Sequence, residues 1–193
     1  MKSALIYTGF FIMLLLFSFR SLGQSQEVTE EGHQHFLNNI TYSEAMNASY
    51  DDEKVVRSEE EWKNRLSSEE FRILRKKGTE IPFINEYNGN YETGVYLCKA
   101  CGQPLFHSNT KYKSGTGWPS FYAPIDDDAV DEKEDNSFFM TRTEIVCSRC
   151  DSHIGHVFDD GPEPTGLRYC MNSAALHFVP KDKDSEKTAQ SGQ

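Results

Sequence analysis

Five cysteines carry the most informative chemistry in this chain of 193 residues, because four of them form two Cys-x-x-Cys pairs and one stands apart. Cys98-Lys99-Ala100-Cys101 and Cys147-Ser148-Arg149-Cys150 each follow a strand-like run, Tyr96-Leu97 and Ile145-Val146, and lead into a turn. Two such knuckles offer the four thiolates that a tetrahedral zinc site takes, and their short spacing lets both sulfurs of a pair face one ion. With sulfur at every position and none left for water, that zinc would be structural and not catalytic. In an oxidising compartment the pairs have two other readings, disulfides or a redox-active dithiol. The latter normally sits at a helix start, whereas both pairs here are fed from strands. The 45 residues between the pairs exceed a compact zinc ribbon, so the ion is expected to tie together two distant hairpins of one larger sheet.

The fifth thiol is Cys170, in Gly166-Leu167-Arg168-Tyr169-Cys170-Met171-Asn172. If Leu167 to Asn172 is a strand, alternation puts Arg168, Cys170 and Asn172 on one face and Tyr169 and Met171 on the other. A neighbouring guanidinium favours the thiolate, the form that is nucleophilic. The plain alternative is a small buried hydrophobe, the commoner fate of a free cysteine. Two further stretches weigh against it. Ser152-His153-Ile154-Gly155-His156-Val157-Phe158-Asp159-Asp160 supplies two imidazoles able to exchange protons near neutral pH. Ser114-Gly115-Thr116-Gly117-Trp118-Pro119 sets an indole in a Gly-rich turn, where it can wall an apolar pocket or simply pack in the core.

The elements that must position these groups are short. Ser58-Glu59-Glu60-Glu61 is a capping box ahead of Trp62 and Leu66, and Ser67-Ser68-Glu69-Glu70 opens a second helix through Phe71 and Leu74 to Gly78. Beyond Pro82 the apolar runs become brief and aromatic or branched: Tyr96-Leu97, Phe138-Phe139-Met140, Glu144-Ile145-Val146 and Leu167 to Asn172, separated by turn residues. A mainly β, antiparallel domain prefaced by short helices is expected over residues 58–180. The acidic run from Asp126-Asp127-Asp128 through Asp131-Glu132 reads as a solvated loop rather than a calcium site, and residues 24–57 and 181–193 as polar linker or disorder.

Residues 1–23 read as a signal peptide, with one early Lys, a long apolar run and small residues before a cleavage point at Gln24. The run is shorter than the roughly 20 residues a membrane-spanning helix needs, so contact with a membrane is expected only if the signal stays uncleaved. The domain is then exported, periplasmic or secreted. Cleavage removes Lys2 and Arg20 and takes the formal charge from −10 to −12, which disfavours binding to nucleic acid or anionic membranes.

The motifs "CKACGQPLF", "SGTGWPSF", "CSRCDSHIGHVFDDGP" and "GLRYCMNSAAL", in that order, resemble the type B methionine sulfoxide reductases, which act on the R epimer at sulfur. The resemblance runs from about Trp62 to Pro180. It implies a fold of two antiparallel sheets, one structural zinc on Cys98, Cys101, Cys147 and Cys150, and Cys170 as nucleophile. It also implies that Trp118 receives the substrate methyl group, that His153, His156, Arg168 and Asn172 line the site, and that Asp160 joins their hydrogen-bond network. The implied substrate is methionine-R-sulfoxide in oxidised proteins, and the chain is expected to act as a monomer. Many relatives carry a resolving cysteine two residues before the tryptophan, where this chain has Thr116. A Cys170 sulfenic acid would then be reduced by an external thiol, from a thioredoxin-like protein or a small molecule. The rival from another class is a non-catalytic zinc-stabilised β module that binds a protein partner; it leaves the set of Cys170, His153, His156, Arg168 and Trp118 unexplained.

Overall fold

A computed structural model describes residues 28–48, 53–137 and 141–181. The expected signal, the Phe138-Phe139-Met140 run and the tail after Lys181 lie outside the described residues. Four helices come first: α1 (Glu30–Asn38), α2 (Tyr42–Met46), α3 (Glu59–Arg65) and α4 (Ser68–Lys76). Both expected capping boxes are present, Ser58 with Glu61 and Ser67 with Glu70, each satisfying two backbone N–H groups that a helix start leaves open. Helix α4 ends at Lys76, two residues before the expected Gly78. Lys77 itself takes the left-handed C-cap (φ 54°) and reaches across to the buried Glu144 carboxylate at 2.6 Å.

Nine strands follow: β1 (Gly94–Cys98), β2 (Pro104–His107), β3 (Lys111–Tyr112), β4 (Ser120–Phe121), β5 (Val130–Asp135), β6 (Arg142–Cys147), β7 (His153–Phe158), β8 (Arg168–Met171) and β9 (Leu176–Pro180). They make two antiparallel sheets, β2-β1-β9 and β3-β4-β8-β7-β6-β5. An aromatic core joins them. Phe106 from the smaller sheet stacks on Phe121 from the larger at 4.5 Å between centroids, and Tyr96 meets Phe121 edge-on at 5.0 Å. All three rings are fully buried, so each contributes several kcal/mol, roughly 3–5 on the scale of Phe-to-Ala truncations.

Three expectations change. Asp131 and Glu132 lie in β5, an edge strand paired residue for residue with β6, and only the preceding Asp127–Ala129 forms a turn. The two knuckles end strands of different sheets, β1 and β6, so they join sheet to sheet instead of two hairpins of one sheet. The leader read as linker or disorder contains α1 and α2. Its apolar residues are too few to make a core of their own, but Leu37 is fully buried and Ala45 packs with Val95, Leu97 and Val179 on the smaller sheet. A side chain at Gly102 (φ 78°), just after the first knuckle, would press on Phe36 and Ile40 at 3.1 and 3.2 Å. His33 Nε2 donates to the Lys99 carbonyl at 2.7 Å, fastening α1 to the same knuckle.

Candidate active site

Strand register brings the chemistry together. On the larger sheet Ser120 of β4 pairs with Cys170 of β8, Cys170 with His156 of β7, and His156 with Glu144 of β6. Directly paired residues share a face of a sheet with Cβ atoms about 4.5–5.5 Å apart, so a hydroxyl, a thiol, an imidazole and a carboxylate form one row across four strands. The alternation expected for β8 holds: Tyr169 and Met171 point into the core, while Arg168 and Cys170 are half-buried on the other face. Gly155 makes the packing possible, because a Cβ there would sit 2.2 Å from the Cys170 carbonyl oxygen.

Cys170 opens into a pocket of about 120 Å³ lined by Trp118, His156, Phe158, Arg142, Thr79 and Asn172, among others. The indole is fixed by Nε1 donating to the Glu80 carbonyl at 3.2 Å, and the preceding Gly117 holds a positive φ (93°) where a side chain would strike Phe83. Asn172 Oδ1 accepts from the Glu80 N–H at 3.2 Å and its Nδ2 donates to Ile154 O at 3.1 Å. The Glu80 carboxylate in turn accepts from the backbone of Ser173 and Ala174. Glu80 therefore holds both the tryptophan and the asparagine, a role that no local motif announces.

The histidines differ. His156 is half-buried and its Nε2 lies 2.8 Å from Asp135, which also accepts from Arg142 at 2.7 Å. Burial keeps the His156 pKa below the usual range even though Asp135 pulls it up, and the hydrogen bonds from Ser137 and His156 hold Asp135 firmly ionised. His153 is 2% exposed, does not line the pocket, and places Nδ1 2.8 Å from Glu144, with its ring centroid 5.3 Å from that of His156. It supports His156 from behind. Burial pushes Glu144 up, but Lys77 and His153 outweigh it and hold the carboxyl below its ordinary value.

Arg168 and Asp160 form a fork, Nε to Oδ1 at 2.7 Å and Nη2 to Oδ2 at 2.9 Å, with the guanidinium 4.3 Å over the Phe158 ring. Neither lines the pocket, and the Asp160 side chain is 61% exposed, so Asp160 reaches the site only through Arg168. The expected effect of the guanidinium on the thiol is present but outweighed: burial raises the Cys170 pKa, while Thr116, Arg168 and Ser120 pull it down by less. Thr116 Oγ1 lies 3.9 Å from Cys170 Sγ, so position 116 meets this thiol with a hydroxyl. Sequence reading missed Glu144, Asp135, Arg142 and Glu80, each supplied by an element distant in the chain; only the register of β5, β6 and β7 reveals the first three.

The knuckle sulfurs all lie within 4.8 Å of one another, with Cys98 to Cys150 at 3.7 Å and Cys101 to Cys147 at 3.6 Å. A tetrahedron of sulfurs about 2.3 Å from a central ion has edges of about 3.8 Å, so these four residues fit a metal ion held across the two sheets. The five cysteines are free of disulfides.

Residues 66–180 match the SelR domain family. A protein of Hahella chejuensis named peptide methionine sulfoxide reductase MsrB is 55% identical over 135 residues, 70% of this chain and 97% of that one. The protein of the same name from Methanosarcina mazei is 58% identical over 69% of this chain and 95% of its own, and that from Leptospira interrogans 57% over 65% and 95%. Among solved structures, the crystal structure of the Mis18 "Yippee-like" domain overlaps 48% of this chain and all of that one at a TM-score of 0.40 and 20% identity, too distant to bear on function. Coverage of nearly the whole length of these relatives, on a site whose lone thiol, tryptophan and histidine share one pocket, leads to one conclusion: the chain belongs to the SelR-domain family of type B peptide methionine sulfoxide reductases.

Proposed function

We propose that this protein reduces the R epimer of methionine sulfoxide in oxidised proteins, with Cys170 as its nucleophile. The observation that carries the reading is the pairing of Cys170 with His156 beneath Trp118 in a pocket sized for a thioether side chain. The substrate methyl rests against the indole and its oxygen lies toward His156. Only one configuration at sulfur then presents that atom to Cys170. The Cys170 sulfur attacks the sulfoxide sulfur as His156 delivers a proton to the oxygen. The S–O bond to methionine breaks, the oxygen ends on Cys170 as a sulfenic acid, and methionine leaves two electrons richer. Asn172, held at both ends, and Arg168, held by Asp160, keep the walls in place.

With Thr116 in the resolving position, a first external thiol condenses with the sulfenic acid to a mixed disulfide and water, and a second releases Cys170. A thioredoxin-like protein or a small thiol fills this role. Zinc is the ion that best suits four sulfurs in tetrahedral array, and it would hold the two sheets together without entering the reaction. The N-terminal 23 residues support placement outside the cytoplasm, where the substrate would be periplasmic or secreted proteins; finding only an uncleaved cytoplasmic form in fractionated cells would refute that placement.

The test is consumption of a dabsylated R,S mixture of methionine sulfoxide with excess dithiothreitol, wild type beside Cys170→Ser. Loss of the R epimer alone, abolished by the substitution, is expected. Equal consumption of both epimers, or turnover that survives in Cys170→Ser, would overturn the reading. Intact mass after one turnover without reductant should show one added oxygen on Cys170; an internal Cys170 disulfide with zinc still bound would refute the external-thiol step.

A further inference from the structure

A second cavity, of about 390 Å³, lies where the leader meets the two knuckles, and it shares no lining residue with the Cys170 pocket. Phe36 and Ala100 are among its apolar walls, Cys101 borders it, and three cations, Arg57, Arg65 and Arg149, line it. Among the described residues no acidic side chain does, although the chain as a whole carries a formal charge of −10. Glu61, outside the cavity lining, attracts Arg57 and Arg65 through space, and the Nε atoms of Arg57 and Arg149 are buried without any hydrogen-bond acceptor among the described residues. Arg57 is held by the Trp62 ring, 5.5 Å below its guanidinium carbon. Burial and the nearby Arg57 charge lower the pKa of Arg65, and Glu61 offsets only part of this.

Buried donor atoms on charged groups are costly to leave unpaired, and guanidinium forks match the planar oxygens of carboxylates and phosphates. No hydrogen bond joins Arg57, Arg65 or Arg149 to a knuckle sulfur among the described residues. The cavity has the size of a small-ligand site and joins apolar walls to a few converging polar groups.

We propose that this cavity binds a small organic anion, a carboxylate or phosphate on an apolar body, gripped by Arg57, Arg65 and Arg149. Arg57, Arg65 and the α1 residues that close the cavity precede residue 66, where the SelR match begins, so the site belongs to this chain's N-terminal segment as much as to its domain. Arg149 stands between two of the metal-ligand cysteines, so the ligand would clamp α1 onto the second knuckle.

The experiment is isothermal titration of the zinc-loaded full chain with phenyl phosphate, benzoate, inorganic phosphate and phenol. One equivalent of phenyl phosphate or benzoate should bind at least tenfold more tightly than inorganic phosphate, with phenol silent; which of the two binds better identifies the oxyanion. Arg57→Gln alone, and Arg57→Gln with Arg149→Gln, should weaken binding at least tenfold while sulfoxide turnover stays at the wild-type level. Absence of binding by wild type, or unchanged binding by Arg57→Gln, would overturn the proposal. So would phenol binding as well as phenyl phosphate, since charge would then play no part.

Discussion

The four knuckle sulfurs and the Cys170 sulfur are chemically the same group in two settings. At the knuckles, burial pushes Cys98 and Cys147 well above the usual thiol range, and the neighbours of each sulfur are other sulfurs. Four thiolates crowded there need a multivalent cation. At Cys170 burial also raises the pKa, but the neighbours are hydroxyls, a guanidinium and an imidazole, and a pocket opens above. Burial thus fails to separate the knuckle sulfurs from the one proposed to react; the compensating groups and the access route do. The contrast breaks cleanly by mutation. Cys147→Ser should remove the cooperative melting transition and zinc together, because a structural zinc site is worth about 10–16 kcal/mol, comparable to a domain's whole stability. Cys170→Ser should leave the melting midpoint within about 3 °C and lower turnover by about 10³-fold or more. A Cys170→Ser protein that melts like Cys147→Ser would place Cys170 among the structural sulfurs.

How much of this was legible in the sequence follows the same divide. The knuckles declare themselves because both ligands of a pair are three residues apart, and Cys170 stood out by lacking such a partner. The alternation of Arg168, Cys170 and Asn172 was readable because a strand has a fixed period of two. Cross-strand facts were not. Glu144 and Asp135 look like ordinary surface acids in the chain, and only register puts the first opposite His156 and the second on its ring. The leader was misjudged for a related reason: Leu37 and Ala45 find their apolar partners on a sheet that begins at Gly94, so no window of leader sequence contains both halves of the contact. The net direction of the Cys170 shift was hidden as well, since burial, which decides it, is a property of the folded chain.

The second prediction tests how the reactive thiol is served by its imidazole. At neutral pH the thiol, raised, and His156, lowered, are both predominantly neutral, so the reactive thiolate–imidazolium pair is a minor tautomer with the same proton count. Its population is constant between the two pKa values and falls outside them. Single-turnover methionine formation should therefore be flat across neutral pH, falling below the lowered His156 pKa and above the raised Cys170 pKa. His156→Gln should lose the plateau, its rate following the Cys170 thiolate and climbing with pH, and should be about 10²-fold slower near neutral pH. A rate that climbs steadily from pH 6 to 9 in wild type would remove His156 from proton delivery.

Next in size is the conversion of the lone sulfur into a paired one. Thr116 Oγ1 already touches Cys170 Sγ at 3.9 Å, so Thr116→Cys sets a second sulfur where a modest rotation can close a bond. After one turnover without reductant, Thr116→Cys should carry an internal disulfide and no added oxygen, with zinc content unchanged. Persistence of the sulfenic acid would show that the Gly-rich turn holds position 116 too rigidly for the sulfurs to meet.

The smallest effect separates a group that touches the substrate from one that acts through another. Asp160 is largely exposed and engaged with Arg168, so Asp160→Asn loses one arm of a fork worth about 1 kcal/mol or less at a solvent-facing site. Two consequences oppose each other. The guanidinium is less firmly aimed, which slows the reaction, while removal of the carboxylate leaves the Arg168 charge uncompensated beside the thiol, which lowers the Cys170 pKa. Stacking on Phe158 keeps the guanidinium near its place in either case. The expected result is a fall in kcat/KM of less than about fivefold, with the alkaline limb moving to slightly lower pH. Arg168→Gln should move that limb the opposite way, because the thiol loses its nearest cation and burial acts unopposed by charge. If instead Asp160→Asn raised KM tenfold and left the limb in place, Asp160 would have to contact the substrate directly, and the pocket would extend past Arg168 to the exposed end of the fork.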